Sequence, residues 1–151
     1  MTSRFNARTL AENESYRASS GIACAYSSPT IIDSKFVPIG SKIFMLEMNN
    51  DINRIVGVGL IYNKTPQFQT REIYKNVHYN FFSYIGNRRI DRSEMSAEEE
   101  KTMRVLDFLC FSGSRHQKRL KGLRVFPEYL LAAAAAMIDL EKNIENMFRE
   151  R

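Results

Sequence analysis

Tryptophan is absent from this 151-residue chain, and histidine, cysteine and proline are scarce, at two, two and four residues. Without tryptophan, stacking against a planar ligand falls to tyrosine and phenylalanine. Cys24 and Cys110 sit between apolar neighbours, Ala23 and Ala25 for the first, Leu109 and Phe111 for the second. Neither has CxxC spacing or a histidine beside it, so both read as buried free thiols in a reducing compartment, not as zinc ligands. His78 and His116 are the only histidines, and no carboxylates or thiols recur at ligand spacing, so no metal and no cofactor is expected. The longest apolar run, Tyr129 to Ile138, is too short to cross a bilayer and is largely alanine. The opening residues Met1 to Asn6 hold no apolar targeting core, so the expectation is a soluble protein of the cytoplasm or nucleus without a membrane partner. Catalytic signatures are missing too. There is no Gly-x-x-x-x-Gly-Lys-Ser/Thr loop and no Gly-x-Ser-x-Gly elbow, and Gly57-x-Gly59 lacks the third glycine of a dinucleotide fingerprint.

What is present is an ordinary globular composition, 44% apolar and 26% charged, of a length that suits one domain with a real core. The net charge is +5, from 22 basic and 17 acidic residues. It is unevenly spread. The segment Ser112 to Arg124 carries Arg115, Lys118, Arg119, Lys121 and Arg124 and no acid. Gly113, Gly122, Ser112 and Ser114 punctuate it, so it is expected to bend and expose backbone N–H groups. Fixed positive charge then attracts an anion and free amides supply geometry. The plainer alternative is a solvated charged loop.

Along the chain, residues 1–20 are polar and predict a loose arm with a short helix around Thr9 to Tyr16, and residues 21–151 predict a single domain. Ile22 to Tyr26 reads as a first strand, stopped by Ser27-Ser28-Pro29. Lys42 to Met48 and Arg54 to Tyr62 predict a hairpin, because Asn49-Asn50-Asp51 between them tolerates the left-handed conformation. Gly57 and Gly59 share one face of the return strand and leave room for a bulge, close packing or a ligand. Residues 63–76, with Asn63-Lys64-Thr65-Pro66, predict a loop. Tyr79 to Ile85 predicts an aromatic strand that Gly86-Asn87 turns toward a partner at Arg88-Arg89-Ile90. Ser96 and Glu99 form a capping box that opens a helix, whose apolar positions are Met103, Val105, Leu106, Leu109 and Cys110 and whose end is Gly113. Leu123 to Phe126 suits a short strand, and Pro127 launches a long helix running over about 127–148. Its Leu130, Ala133, Met137, Leu140, Ile144 and Met147 recur at three- and four-residue steps. Such a seam packs across a sheet or pairs with a second copy or another protein.

Aromatic residues crowd the middle of the chain: Tyr62, Phe68, Tyr74, Tyr79, Phe81, Phe82 and Tyr84. One face of the 79–85 strand must fill the core, while the other either stacks a base, with Arg88, Arg89 and Arg92 just beyond to meet phosphates, or is itself buried, with one aromatic set beneath the C-terminal helix. The expected nucleic-acid contacts are therefore Arg115, His116, Lys118, Arg119, Lys121, Arg88 and Arg89. Tyr79, Phe81 and Tyr84 are the expected stacking residues, and His116 reads a base edge or holds a phosphate.

Pro38-Ile39-Gly40-Ser41-Lys42-Ile43-Phe44 followed by Ile55-Val56-Gly57-Val58-Gly59-Leu60-Ile61 resembles the central hairpin of PUA-like domains, the superfamily of the EVE, ASCH and YTH groups. Gly40 and Lys42 match the start of the ASCH pattern Gly-x-Lys-x-x-Glu, and Met45 stands at its acidic position. The Glu47-Met48-Asn49-Asn50-Asp51 turn and the Arg115-His116-x-Lys118-Arg119 segment also resemble uncharacterised proteins of large DNA viruses. The resemblance implies a module that binds nucleic acid or a modified base in a pocket of a compact barrel, acting in a host cell if viral. The expected fold is α+β: a curved, mostly antiparallel sheet or small PUA-like β-barrel with a middle helix and a long C-terminal helix. The expected function is binding of RNA or DNA without catalysis. The alternative is a structural or assembly protein acting through the C-terminal helix and the N-terminal arm. A small nucleotide-processing enzyme is a third reading, and it requires His116 to meet an acid such as Glu47 or Asp107.

Overall fold

The computed structural model describes residues 1–64, 71–149 and 151; Thr65, Pro66 and Phe68, which enter the loop and aromatic readings above, lie outside the described residues. In chain order the elements are β1 (Thr2–Phe5), α1 (Ala7–Ser20), β2 (Cys24–Ser28), β3 (Lys42–Asn49), β4 (Arg54–Tyr62), β5 (Phe82–Gly86), β6 (Arg88–Asp91), α2 (Ala97–Phe111), α3 (Glu128–Ala135) and α4 (Leu140–Arg149). Short 3-10 turns cover Val77–Asn80 and Arg92–Glu94. The fold is α+β. One sheet has the order β1-β3-β4-β6, and β2 pairs with β5 in a second. Every pairing is antiparallel except β1 with β3, and the strands do not close into a barrel.

The β3–β4 hairpin is the spine. Its turn places Asn53 at φ +52°, a conformation asparagine tolerates, and Asn49 Oδ1 accepts the Asp51 amide at 3.1 Å. Strand alternation then sorts the residues onto two faces. Leu46, Met48, Val58, Leu60 and Ile90 meet Met103, Leu106, Leu130, Ala134, Ile144, Met147 and Phe148 of the three later helices. Ile43, Met45 and Ile61 face the other way, with Cys24, Tyr26, Tyr74 and Tyr84. The larger sheet is thus covered on both sides.

Expected and observed elements differ at the N-terminal arm, around the aromatic strand and in the C-terminal helix. The polar N-terminal arm is a strand and a 14-residue helix. Its backbone pairs in register with β3, from Thr2 opposite Leu46 to Phe5 opposite Asn49, and that pairing holds small polar residues inside the fold. The polar helix α1 packs through a buried amide: Asn13 Nδ2 donates to the Ala25 carbonyl at 2.7 Å and to Tyr74 Oη at 3.1 Å. The expected strand over 79–85 begins only at Phe82, and β5 and β6 do not form a hairpin with each other. β5 pairs with β2 and β6 with β4, so Gly86-Asn87 carries the chain from one sheet to the other.

The long C-terminal helix is two helices. Asp139 restarts it: its carboxylate accepts the Lys142 amide at 3.3 Å and its carbonyl accepts the Asn143 amide at 2.9 Å, the geometry of an N-cap. The heptad-like seam is divided as a result. Leu130, Ile144 and Met147 are in the core, Ala133 and Leu140 lie at its margin, and Met137 is 55% exposed. No helix among the described residues is long and apolar enough to cross a membrane.

Candidate functional site

Tertiary pairing engages four of the residues expected to meet a base or a phosphate, Arg88, Arg89, Arg92 and Tyr84. Arg89 on β6 and Glu47 on β3 point to the same face and meet in a two-pronged ion pair, with Nη2 to Oε2 at 2.7 Å and Nε to Oε1 at 3.0 Å. Arg89 also reaches Asp91 at 3.0 Å, and the Tyr26 hydroxyl donates to Glu47 Oε1 at 2.7 Å. Burial acts to discharge Arg89, but hydrogen bonds and charge from Glu47 and Asp91 outweigh it and hold the guanidinium above its ordinary range. Burial first, and the Glu47 charge second, push the Tyr26 phenol well above its usual value, which keeps it a donor. Arg89 is therefore a structural cation and not a phosphate contact.

Arg88 is exposed but engaged: its guanidinium donates to the Phe148 carbonyl and lies 5.3 Å from the centre of the Phe148 ring, fastening α4 to β6. Arg92, also expected near phosphates, is buried and paired with Glu100 at 2.8 Å and Asp107 at 2.7 Å. Tyr84 is buried and its hydroxyl accepts the Ile32 amide at 2.8 Å, so it cannot stack a base. These residues carry the charge and rings that the site requires, but tertiary pairing consumes them.

The basic segment 112–124 behaves differently. It is clamped, not loose. Gln117, buried in the middle of five cations, is the clamp that sequence reasoning missed. Its amide donates to the Cys110 carbonyl at 2.7 Å, its Nε2 donates to Tyr129 Oη at 2.8 Å, and its carbonyl accepts Arg4 Nε. Asn50 Nδ2 donates to the Lys118 carbonyl at 3.0 Å, and Arg124 exchanges two backbone hydrogen bonds with Thr2 at 2.8 and 3.0 Å. Gly113 at φ +76° and Gly122 at φ +69° supply the bends. The amides of Gln117, Lys118 and Arg124 all have internal acceptors, so side chains more than free backbone N–H groups face outward. Arg115, Arg119 and Lys121 are exposed, Lys118 and His116 half-buried. Among the described residues, none of Arg115, Lys118, Arg119, Lys121 and Arg124 pairs with a carboxylate, whereas Arg54, Arg89, Arg92 and Arg104 all do.

Beside this segment lies a cavity of about 200 Å³ between β1, the start of α1 and the aromatic turn. Its buried lining includes Ser3, Phe5, Ser27 and Tyr74, and its exposed rim includes Tyr79 and Lys121. The Tyr79 ring meets Tyr74 edge-on at 6.3 Å, so one expected stacking residue and one expected phosphate contact share a wall. Phe81 is 38% exposed and stacks edge-on with His78 at 5.9 Å, outside this cavity. Arg4 belongs to the lining, and both its terminal nitrogens are buried without a hydrogen-bond partner; Asn50 Oδ1 is likewise unpartnered. Burial pulls Arg4 down to about 10, Cys110 opposes the pull and the like charge of Arg124 adds to it.

His116 does not meet the acids an enzyme would need. Its Nδ1 accepts the Lys118 amide at 3.3 Å, Glu47 is taken by Tyr26 and Arg89, and Asp107 is taken by Arg92 and the Ile55 amide. Both cysteines are buried, and burial pushes Cys24 up to about 11 and Cys110 to about 12. The described residues hold no cluster of three metal-binding side chains. No protein-family model, curated protein or solved structure matches the chain.

Proposed function

We propose that this chain is a nucleic-acid-binding module, PUA-like in kind, whose contact surface is the outer side of the basic segment. Arg115, Lys118, Arg119 and Lys121 meet phosphates, Arg124 joins them, and Tyr79 at the edge of the same surface stacks a base. The observation that carries this is the unmatched charge. Five cations lie within ten residues on a segment clamped at Gln117, Asn50 and Thr2, and none has an acid partner among the described residues. Holding like charges together costs free energy that an external polyanion offsets. The clamp also fixes the backbone that carries these side chains before binding, which lowers the ordering cost of association.

The test is equilibrium binding to labelled single- and double-stranded RNA and DNA across a salt series. Binding is expected to weaken steeply with salt, and loss of each phosphate contact to lower the log–log slope by about one. Salt-independent binding, or none at low salt from folded protein, removes the proposal and leaves assembly as the role to pursue.

A further inference from the structure

We infer that the cavity at the edge of β1 takes one unstacked nucleobase, read along its Watson–Crick edge by the main chain of Arg4 and met on its face by Tyr79, so that the chain reads bases in single strands and not in duplex. The inference rests on the nucleic-acid reading above and narrows it.

The first observation is a ladder that opens. β1 is an edge strand of the larger sheet. Met1 and Phe5 turn their carbonyls toward β3, where they accept the amides of Leu46 and Asn50 at 2.9 and 2.8 Å. Thr2 turns the other way and exchanges two hydrogen bonds with Arg124, at 2.8 and 3.0 Å. Strand alternation gives the Arg4 backbone the direction of Thr2, and the next antiparallel pair along this edge is Arg4 with Gly122. That pair does not form, and Thr2 with Arg124 is an isolated bridge. Gly122, at φ +69°, has left the line of β1 for β2: a Cβ built on it would lie 2.8 Å from Ser28 Oγ. The Arg4 amide and carbonyl therefore have no hydrogen-bond partner among the described residues.

The cavity of about 200 Å³ occupies this opening. Its lining joins Ser3, Arg4 and Phe5 on one side to Leu120, Lys121 and Gly122 on the other. The Arg4 side chain runs to the opposite face of β1 from Ser3 and Phe5, where Nε donates to the Gln117 carbonyl and the terminal nitrogens are buried. What Arg4 lends the cavity is main chain.

An extended residue whose N–H and C=O point the same way sets a donor beside an acceptor, and an unpaired strand edge is a template for a complementary partner. Nucleobases carry that complement on the Watson–Crick edge, as N3–H and O4 in thymine and N6–H and N1 in adenine. In a duplex this edge is already paired. The opening is one residue long, too short for a peptide strand. Its volume of about 200 Å³ lies below the range of about 300–1,000 Å³ typical for drug-sized ligands, so it suits a single ring system. Tyr79 stands at the rim, 37% exposed, with its ring held edge-on by Tyr74 at 6.3 Å. Stacking on such a ring is tolerant of base identity. Lys121 on the same rim meets the adjoining phosphate as part of the proposed interface.

The experiment compares oligothymidylate with the same strand built from N3-methylthymidine, by fluorescence anisotropy and amide chemical shifts on the full chain at low salt. The two strands carry equal charge and similar rings, and the methylated one lacks the N3–H. Oligothymidylate is expected to bind about tenfold tighter. The Arg4 amide signal should shift with oligothymidylate and stay in place with the methylated strand and with an oligothymidylate–oligoadenylate duplex. Tyr79→Leu, which keeps apolar bulk against Tyr74, should erase most of the preference, and Tyr79→Phe should keep it. Salt-dependent binding of both strands with equal affinity overturns the inference and leaves the polymer reading standing. Binding of neither strand by folded protein overturns both. A preference for the unmethylated strand with an unmoved Arg4 amide means that bases are read elsewhere, and overturns this site.

Discussion

The hydroxyl of Tyr26 occupies the space of the side chain that Gly59 lacks: a Cβ built on Gly59 would lie 2.0 Å from that oxygen and 2.8 Å from the ring carbon that bears it. Gly57, two residues earlier on the same face of β4, makes the same accommodation for Arg89 Nη2 at 2.6 Å and Glu47 Oε2 at 2.8 Å. The two glycines are the gap in which a buried Tyr–Glu–Arg chain lies against the sheet. Gly59→Ala must displace a fully buried tyrosine. Overpacking of this kind costs about 1–3 kcal/mol, and the upper end is expected because Tyr26 is enclosed on every side. Chemical denaturation reads the loss as a lower midpoint, and Tyr26→Phe in the same background should recover only part of it, because the ring carbon still clashes. An unchanged midpoint contradicts this packing.

Glu47 and Arg89 are partners that neither can lose alone. Glu47→Gln leaves a guanidinium 9% exposed with only the half-exposed Asp91 to balance it. Removing one member of such a pair costs about 3–5 kcal/mol, whereas replacing both by apolar residues of similar volume costs far less than the sum. A double-mutant cycle with Glu47→Leu and Arg89→Met measures the coupling. Additive single effects would show that the pair is not a unit.

Acid should weaken the fold through Glu100. Its hydrogen bonds from Arg92, against an opposing effect of burial, bring its carboxyl from the usual 4.5 down to about 2. The folded value lies below the unfolded one, so the stabilisation is complete above pH 4.5 and is lost as pH falls from there toward 2. Stability measured by denaturant titration across that window should fall less steeply for Arg92→Gln than for the parent chain, whatever the absolute loss at neutral pH. Parallel curves would place the acid sensitivity elsewhere.

How much of this was legible beforehand depends on whether a residue's role is local. The hairpin and the Ser96–Glu99 box are local chemistry, and both stand where the sequence puts them. Asp139 is also local, and the N-cap chemistry of aspartate was the available signal for the break between α3 and α4, masked by the alanine run before it. Arg89 and Tyr84 could not be sorted from Lys121 and Tyr79 by composition or alternation. Their difference lies in partners 42 and 52 residues away, Glu47 for Arg89 and Ile32 for Tyr84. Gln117 belongs to the same class, since a lone amide among cations has no sequence signature until Arg4 and Tyr129 come to it. Gly57 and Gly59 did carry a signal, because missing side chains on one strand face announce close approach. They did not say of what.

The most direct measurement compares two charge-matched variants for binding to single-stranded RNA and DNA over a salt series. Arg115→Gln/Arg119→Gln removes two cations of the clamped segment that touch no carboxylate among the described residues, and Arg54→Gln/Arg104→Gln removes two that touch Glu100, which Arg92 shares. Both pairs change the net charge by the same amount. The proposed interface predicts that the first variant loses affinity and about two phosphate contacts of salt slope, while the second stays close to the parent chain. Equal losses in the two variants would mean that only net charge attracts the polymer, and would contradict a defined surface on residues 115–124.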